Sequence, residues 1–211
     1  MSPQAHLKDE HARPGTVVIA GAGPIGLLLA TVLSHYGIRS LLLERNLSTT
    51  QWPKMDLTNT RSMEILRRLG LASQLREHGV PSHFPLPVLF SSGLSADESM
   101  TRWDLPSVDE YRKHIAENND GTQPLEAYQR ISQVIFEKWL KEICDKDPLI
   151  DVRFGWAVKA VEEEHDRVHV TVEDTQHGDT VCITADYMAG CDGASSQTQK
   201  SMGFALDGGP M

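Results

Sequence analysis

The sequence predicts an α/β fold on three observations: a strand, glycine turn and helix near the start, a second strand ending on an acid, and alternating strands towards the end. Thr16-Val17-Val18-Ile19-Ala20 runs directly into Gly21-Ala22-Gly23-Pro24-Ile25-Gly26. In such a turn Gly21 permits the tight reversal, Gly23 lets backbone N–H groups approach a pyrophosphate, and Gly26 lets the helix sit close to the strand. The helix N-terminus adds unpaired N–H groups and a partial positive charge. Pro24 suits the first helical turn, where its missing N–H costs nothing. Ile25, Leu28, Leu29, Val32 and Leu33 make the expected apolar face of a helix over 24–36, and Gly37 stops it. Ile38 to Leu43 form the second strand, and Glu44 at its end can accept hydrogen bonds from a ribose diol. The combination outlines a site for an adenine dinucleotide. A tight turn without a ligand leaves the position of the acid unexplained.

The remaining elements follow from periodicity. Residues 58–69 read as a helix with Met63, Leu66 and Leu69 at helical spacing, and a short helix covers 71–78. Residues 79–106 are rich in Pro, Ser and Gly, with a strand at Val88-Leu89-Phe90. A surface helix is expected over 107–117, and a turn at Asn118-Asn119-Asp120-Gly121. Residues 130–146 form an amphipathic helix with Ile131, Val134, Ile135, Trp139, Leu140 and Ile143 on one face. A β-meander is then expected over about 150–185. Val152 and Phe154 mark its first strand, Val168, Val170 and Val172 another, and Val181, Ile183 and Ala185 the last. Glu164-His165-Asp166-Arg167 and Gln176-His177-Gly178-Asp179 supply hairpin turns.

Composition narrows the function classes. At 211 residues and 40% hydrophobic, the chain can bury one large domain, or one domain and part of a second. A net charge of −9 argues against nucleic acid or an anionic membrane as partner, and no apolar run is long enough for a membrane span. Residues 1–15 are polar, lack a hydrophobic signal segment and are expected to be a flexible lead-in. Cys144, Cys182 and Cys191 lie far apart with no CxxC, which fits a reducing, cytoplasmic setting. The nine histidines are scattered without metal-ligand spacing, so no metal is expected.

Gly190-Cys191-Asp192-Gly193-Ala194 follows the last strand signals. Four other features accompany it: the glycine turn, Glu44-Arg45, the segment from Lys54 to Asn59-Thr60-Arg61-Ser62-Met63-Glu64, and Gln129 ahead of a long helix. With these the chain resembles the class A FAD-dependent monooxygenases, and among them the phenol 2-monooxygenase-type aromatic hydroxylases. The resemblance runs from 16 to 206. It implies a Rossmann-like FAD-binding domain of the GR2 type, with a β-meander and a partial β-rich substrate region. It further implies FAD as cofactor, NAD(P)H as reductant, and transfer of oxygen from O2 to a small aromatic or polyketide-like substrate.

The same resemblance assigns residues. Gly21, Gly23 and Gly26, with Pro24 and Ile25 between them, cradle the FAD pyrophosphate. Glu44 holds the adenosine ribose and Arg45 flanks the adenine. Lys54 stands where the family usually has an arginine near the pyrophosphate, Gln129 matches a flavin-side contact, and Asp192 matches the motif between the pyrophosphate and the path of NAD(P)H. Plainer readings stand beside these. Lys54, Arg61 and Arg67 also fit a solvated surface, Gln129 a helix-start residue, and Asp192-Gly193 an ordinary turn.

Two departures separate the chain from the family pattern. Arginines are usual at the positions of Ser195 and Gln199, and each such anion contact is worth about 1.5–3 kcal/mol. The family also continues into the rest of a substrate domain and a Gly-Asp motif. The expected organisation is therefore a discontinuous FAD-binding domain over 16–203, a partial substrate region inserted around 80–125, and a truncated end over 204–211. A homo-oligomer, or a partner chain that completes the site, fits such an end. The alternative is a shortened flavoprotein relative without redox chemistry, acting as a cofactor-free cyclase or isomerase or as an accessory protein in secondary metabolism. Asp56, Tyr111 and His114 are then candidate acids or bases. A dinucleotide-sensing module has no specific support.

Overall fold

A computed structural model describes residues 8–52, 54–93, 99–205 and 207–208. Residues 1–7 of the lead-in expected over 1–15, Pro53, residues 94–98, and residues 206 and 209–211 of the expected truncated end lie outside the described residues. In chain order the elements are β1 (Lys8–His11), β2 (Val17–Ala20), α1 (Pro24–His35), β3 (Ser40–Glu44), β4 (Leu57–Thr58), α2 (Thr60–Arg68), α3 (Ala72–His78), β5 (Leu86–Phe90), β6 (Thr101–Leu105), α4 (Val108–Glu117), β7 (Gln129–Arg130), α5 (Gln133–Lys146), β8 (Ile150–Phe154), β9 (Trp156–Glu164), β10 (Arg167–Asp174), β11 (Thr180–Ala185), β12 (Tyr187–Gly190) and α6 (Gln197–Ser201). They fall into two compact units, Met1–Trp52 with Glu137–Met211, and Pro53–Phe136. Among the described residues no helix is long and apolar enough to cross a membrane.

The first unit is built on a parallel sheet in the order β12-β2-β3-β8. Its inner strands are short, nearly unbroken apolar runs, as strands covered on both faces require. Alternation sends Val18, Leu41 and Leu43 to one face, where they join Val170, Val172, Val181, Ile183 and Ala185 in a buried core. Those partners belong to a second sheet in the order β1-β11-β10-β9. Helix α1 packs against β2, β3 and β8.

Three expectations change here. The strand containing Val152 and Phe154 is β8, and it pairs in parallel with β3; the meander is β9 to β11. Alternation looks alike in either sheet, so periodicity did not separate them. Residues 8–11, expected within the mobile lead-in, form β1 in parallel with β11. The strand has no apolar pattern of its own and gains its order from tertiary pairing. Along α1 the fully buried positions are Gly26, Leu27 and Ala30, and Ile25 is 68% exposed. The helix is so uniformly apolar that its sequence does not single out the face that packs.

The second unit, described by itself, holds two small antiparallel pairs, β4-β7 and β5-β6. It is wider than the insertion expected over 80–125, because the pairing of β4 with β7 ties residue 57 to residue 130. The same pairing delays α5 to Gln133: Arg130 is in the ladder and the Ile131 N–H donates to the Asp56 carbonyl. Asn59 caps α2 by accepting from the Ser62 N–H, and Ser107 with Glu110 forms a capping box on α4. Arg76 gathers the strand-forming segment. Its guanidinium donates to the carbonyls of Ala127 and Tyr128, the Gln129 Oε1 and the Glu126 carboxylate.

Two features of the first unit have measurable consequences. Arg153 on β8 holds Glu10 on β1 through two 2.8 Å bonds and also pairs with Asp151. Glu10→Ala is expected to cost about 1–2 kcal/mol and to speed hydrogen exchange in β1 while β2 and β3 stay protected; unchanged exchange in β1 would remove the pair as its anchor. Cys144 lies buried on α5, its thiol within reach of the Leu27 carbonyl on α1. Burial pushes this thiol from its ordinary 9.0 up to about 11. The stability gained by keeping it neutral is present below pH 9.0 and is lost as pH rises through about 11. In a thiol titration near neutral pH, Cys144 is expected to react only after unfolding.

Candidate dinucleotide site

The C-terminal edge of a parallel sheet, where strands end and the chain turns away, is where such folds place their ligands. Here three strand ends meet. The Gly21 N–H donates to the Leu43 carbonyl of β3 at 2.7 Å, and the Cys191 N–H donates to the Ala20 carbonyl at 2.7 Å. The glycine turn is thus fixed on both flanks before any ligand is considered.

The three glycines do different work. Gly21 has φ +96°, and a Cβ there would lie 2.5 Å from the Cys191 carbonyl oxygen. A Cβ on Gly26 would lie 1.9 Å from the Gly21 carbonyl oxygen. Both are needed by the protein itself, since three backbones cross with no room for a side chain. Gly23 is the exception: a Cβ there meets nothing within 4 Å. It is the N-cap of α1, it offers no side-chain cap, and no acid lies in the first turn. The helices of the second unit that begin at Thr60 and Val108 have their first N–H groups capped by Asn59 and Ser107. The start of α1 leaves its N–H groups and its positive dipole end for something else.

Glu44, at the end of β3, turns its carboxylate back to this turn. Its Oε2 accepts from the Ala22 N–H at 2.8 Å, and its Oε1 accepts from the backbone and side-chain amides of Asn46 at 3.0 and 2.6 Å. An open glycine, an uncapped helix start and an oriented carboxylate beside them match the anionic and diol parts of an adenine dinucleotide. These residues fit the ADP portion of FAD.

The other expected site residues are placed as follows. Pro24 and Ile25 occupy the first turn of α1, with Ile25 facing outward. Arg45 is exposed next to Glu44. Asp192 accepts from Ser196 Oγ, from the N–H groups of Gln197 and Thr198, and from Thr198 Oγ1. Burial acts to raise its pKa, but the hydrogen bonds from Ser196, Thr198, its own N–H and Gln197 outweigh it and hold the carboxyl below its usual range. Its side chain fastens the start of α6, and the backbone of Cys191 and Asp192 is what reaches the glycine turn. In the second unit Lys54 is exposed, while Gln129 is 1% exposed. The Gln129 amide donates to the carbonyls of Val80 and Arg130 and accepts from Arg76, so its hydrogen bonds run to the protein. Asp56 is ion-paired with Arg130, and Tyr111 and His114 stand 6.4 Å apart on α4.

Three contributors went unseen in the sequence. Asn46 clamps Glu44, Glu137 is buried and accepts from the Thr50 N–H, and Arg76 holds Gln129. A signal existed for two of them: Arg76 shares a stripe with Ala72, and Glu137 shares one with Leu140 and Cys144. A charge on an apolar stripe implies a buried partner. Gly21→Ala or Gly26→Ala is expected to cost roughly 2 kcal/mol or more and lower Tm by about 4–8 °C, whereas Gly23→Ala leaves Tm within about a degree. Equal losses at all three in a thermal melt would contradict the division of roles.

Known proteins match this arrangement. The family described as FAD binding domain matches residues 15–210. The chain is 54% identical over 208 residues to the FAD-dependent monooxygenase apdD of Emericella nidulans, covering 99% of this chain and 33% of that protein. It is 26% identical over 197 residues to the 2,4-dichlorophenol 6-monooxygenase of Cupriavidus pinatubonensis, covering 91% of this chain and 31% of that one. Among solved structures, the flavin-dependent monooxygenase PieE in complex with FAD and substrate superposes with a TM-score of 0.81 at 29% identity, over 93% of this chain and 33% of PieE. The rebeccamycin biosynthetic enzyme RebC, with reduced flavin, gives 0.75 at 28% identity, over 92% of this chain and 35% of RebC. The chain spans about a third of the length of these relatives. With its glycine turn, its oriented acid and a match along almost its whole length, the chain belongs to the FAD binding domain family of the class A flavin monooxygenases.

Proposed function

We propose that this chain holds the ADP end of FAD in a cytoplasmic monooxygenase that uses NAD(P)H and O2 to hydroxylate a small aromatic or polyketide-type molecule. The observation that carries the proposal is the contrast among the glycines: two are jammed against backbone, and the third opens onto an uncapped helix start. That contrast has no purpose inside the protein and a clear one around a pyrophosphate. The free thiols of Cys144, Cys182 and Cys191 accord with a reducing compartment.

When bound, FAD supplies the redox chemistry, moving electrons from NAD(P)H to O2 and oxygen to the substrate. The chain's residues bind and orient. The first N–H groups of α1 face the pyrophosphate, Glu44 accepts from the adenosine ribose, and Arg45 flanks the adenine. Pro24 and Ile25 shape the first helical turn, and the Cys191-Asp192 backbone locks the turn from above. Gln129 acts by bracing the segment around it, since its polar atoms are already engaged. The expected FAD-binding domain over 16–203 carries the partial substrate region within the unit that spans Pro53–Phe136. The name of one relative, 2,4-dichlorophenol 6-monooxygenase, suggests a phenolic substrate class. A redox-free cyclase gains little from a glycine left open at the helix start.

Binding is tested with the 211-residue chain by following flavin absorbance and fluorescence as FAD is added. Saturable binding with a shifted flavin spectrum is expected, and ADP is expected to compete. Gly23→Val is expected to keep Tm and to weaken both FAD and ADP by about 10- to 100-fold, the loss of one or two charge-assisted hydrogen bonds. A chain that folds but takes up neither FAD nor ADP overturns the proposal.

A further inference from the structure

We infer that Asn46 is a positioning residue for the nucleotide: it holds the Glu44 carboxylate so that the site distinguishes an intact ribose from a deoxyribose. The inference rests on the dinucleotide reading above. A carboxylate offers about four lone-pair directions on its two oxygens. On Glu44, Oε1 accepts twice, from the Asn46 backbone N–H at 3.0 Å and from its Nδ2 at 2.6 Å. Oε2 accepts once, from the Ala22 N–H at 2.8 Å. The direction left over is on Oε2, the oxygen beside the glycine turn, and it suits one hydroxyl donor. Without Asn46 the carboxylate can swing and lend Oε1 to water, and the free direction is no longer aimed.

Asn46 is itself anchored from the other sheet. Its carbonyl accepts from the Gly155 N–H at 2.8 Å, at the corner between β8 and β9. The Gly155 carbonyl in turn accepts from the Thr175 N–H at 2.7 Å and Oγ1 at 2.9 Å. Gly155 has φ +80°, and a Cβ there would lie 3.0 Å from Leu47 Cδ2, so the corner is closely fitted to the loop after β3. A continuous chain of hydrogen bonds thus runs from the meander through Asn46 and Glu44 to the glycine turn. The Asn46 side chain is exposed, and exposed hydrogen bonds add little to stability, so its effect falls on orientation.

The test compares binding of ADP with that of its 2′-deoxy and 3′-deoxy analogues. The wild-type chain is expected to prefer ADP over at least one analogue by about tenfold, and Asn46→Ala to reduce that preference to about twofold or less with Tm unchanged. Asn46→Asp adds a pH readout that a purely structural role does not give. Two facing carboxylates raise one pKa of the pair, so preference is lost at neutral pH and returns on acidification, when a protonated carboxyl can donate to Glu44. An Asn46→Ala protein that keeps the full preference, or loses ADP and analogues in equal measure, overturns the inference. So does a wild type that binds ADP without preference. A wild type that binds neither ADP nor FAD overturns the dinucleotide reading instead.

Discussion

The first unit depends on one crowded crossing. The turn at Gly21, the start of α1 at Gly26 and the segment leaving β12 at Cys191 pass so close that a methyl group fits at neither glycine. Close approach of backbones brings the Gly21 and Cys191 N–H groups onto carbonyls of neighbouring strands, which closes the hydrogen-bond account at the sheet edge. It also fixes the axis of α1. A helix lifted by one side chain's width would move its N-terminus away from the place where Glu44 points. Position and function are therefore set by the same contact.

Charge is distributed to the same end. Asn59, Ser107 and Ser196 quench the starts of α2, α4 and α6 with local oxygens. The start of α1 has no such oxygen and no acid in its first turn, and the nearby carboxylate of Glu44 is engaged from three sides. Asp192 is a second acid near the turn, but its bonds close the loop that leads into α6. An acidic chain with net charge −9 thus leaves the start of α1 open to an anion.

The local part of this plan was readable in the sequence. The strand, glycine turn, helix and acid lie within residues 16–44, and their spacing alone points to the βαβ unit and to the close packing at Gly21 and Gly26. Long-range pairings were harder. Lys8–His11 is polar and becomes a strand because Thr180–Ala185 offers it an edge. Ile150–Phe154 alternates like a meander strand, yet it extends the parallel sheet beside β3. Side-chain partners were harder still. Gln129 and Asp192 were placed by resemblance, but Arg76 and the start of α6 claim their polar atoms. Such claims depend on which backbone atoms come within about 3 Å in the fold, a distance that sequence spacing does not report.

The pairing of β12 with β2 also bears on how the chain is made. Residues 187–190 lie beside residues 17–20, so the first strand of the parallel sheet gains this neighbour only after the long segment between them has left the ribosome. The unit from Pro53 to Phe136 is continuous and is complete long before that moment. During synthesis the glycine turn has one flank, β3, and lacks the other. The nucleotide site therefore closes only once residues 187–191 have emerged, and a ribosome stalled before them carries an exposed strand edge, a target for chaperones, in place of a binding site.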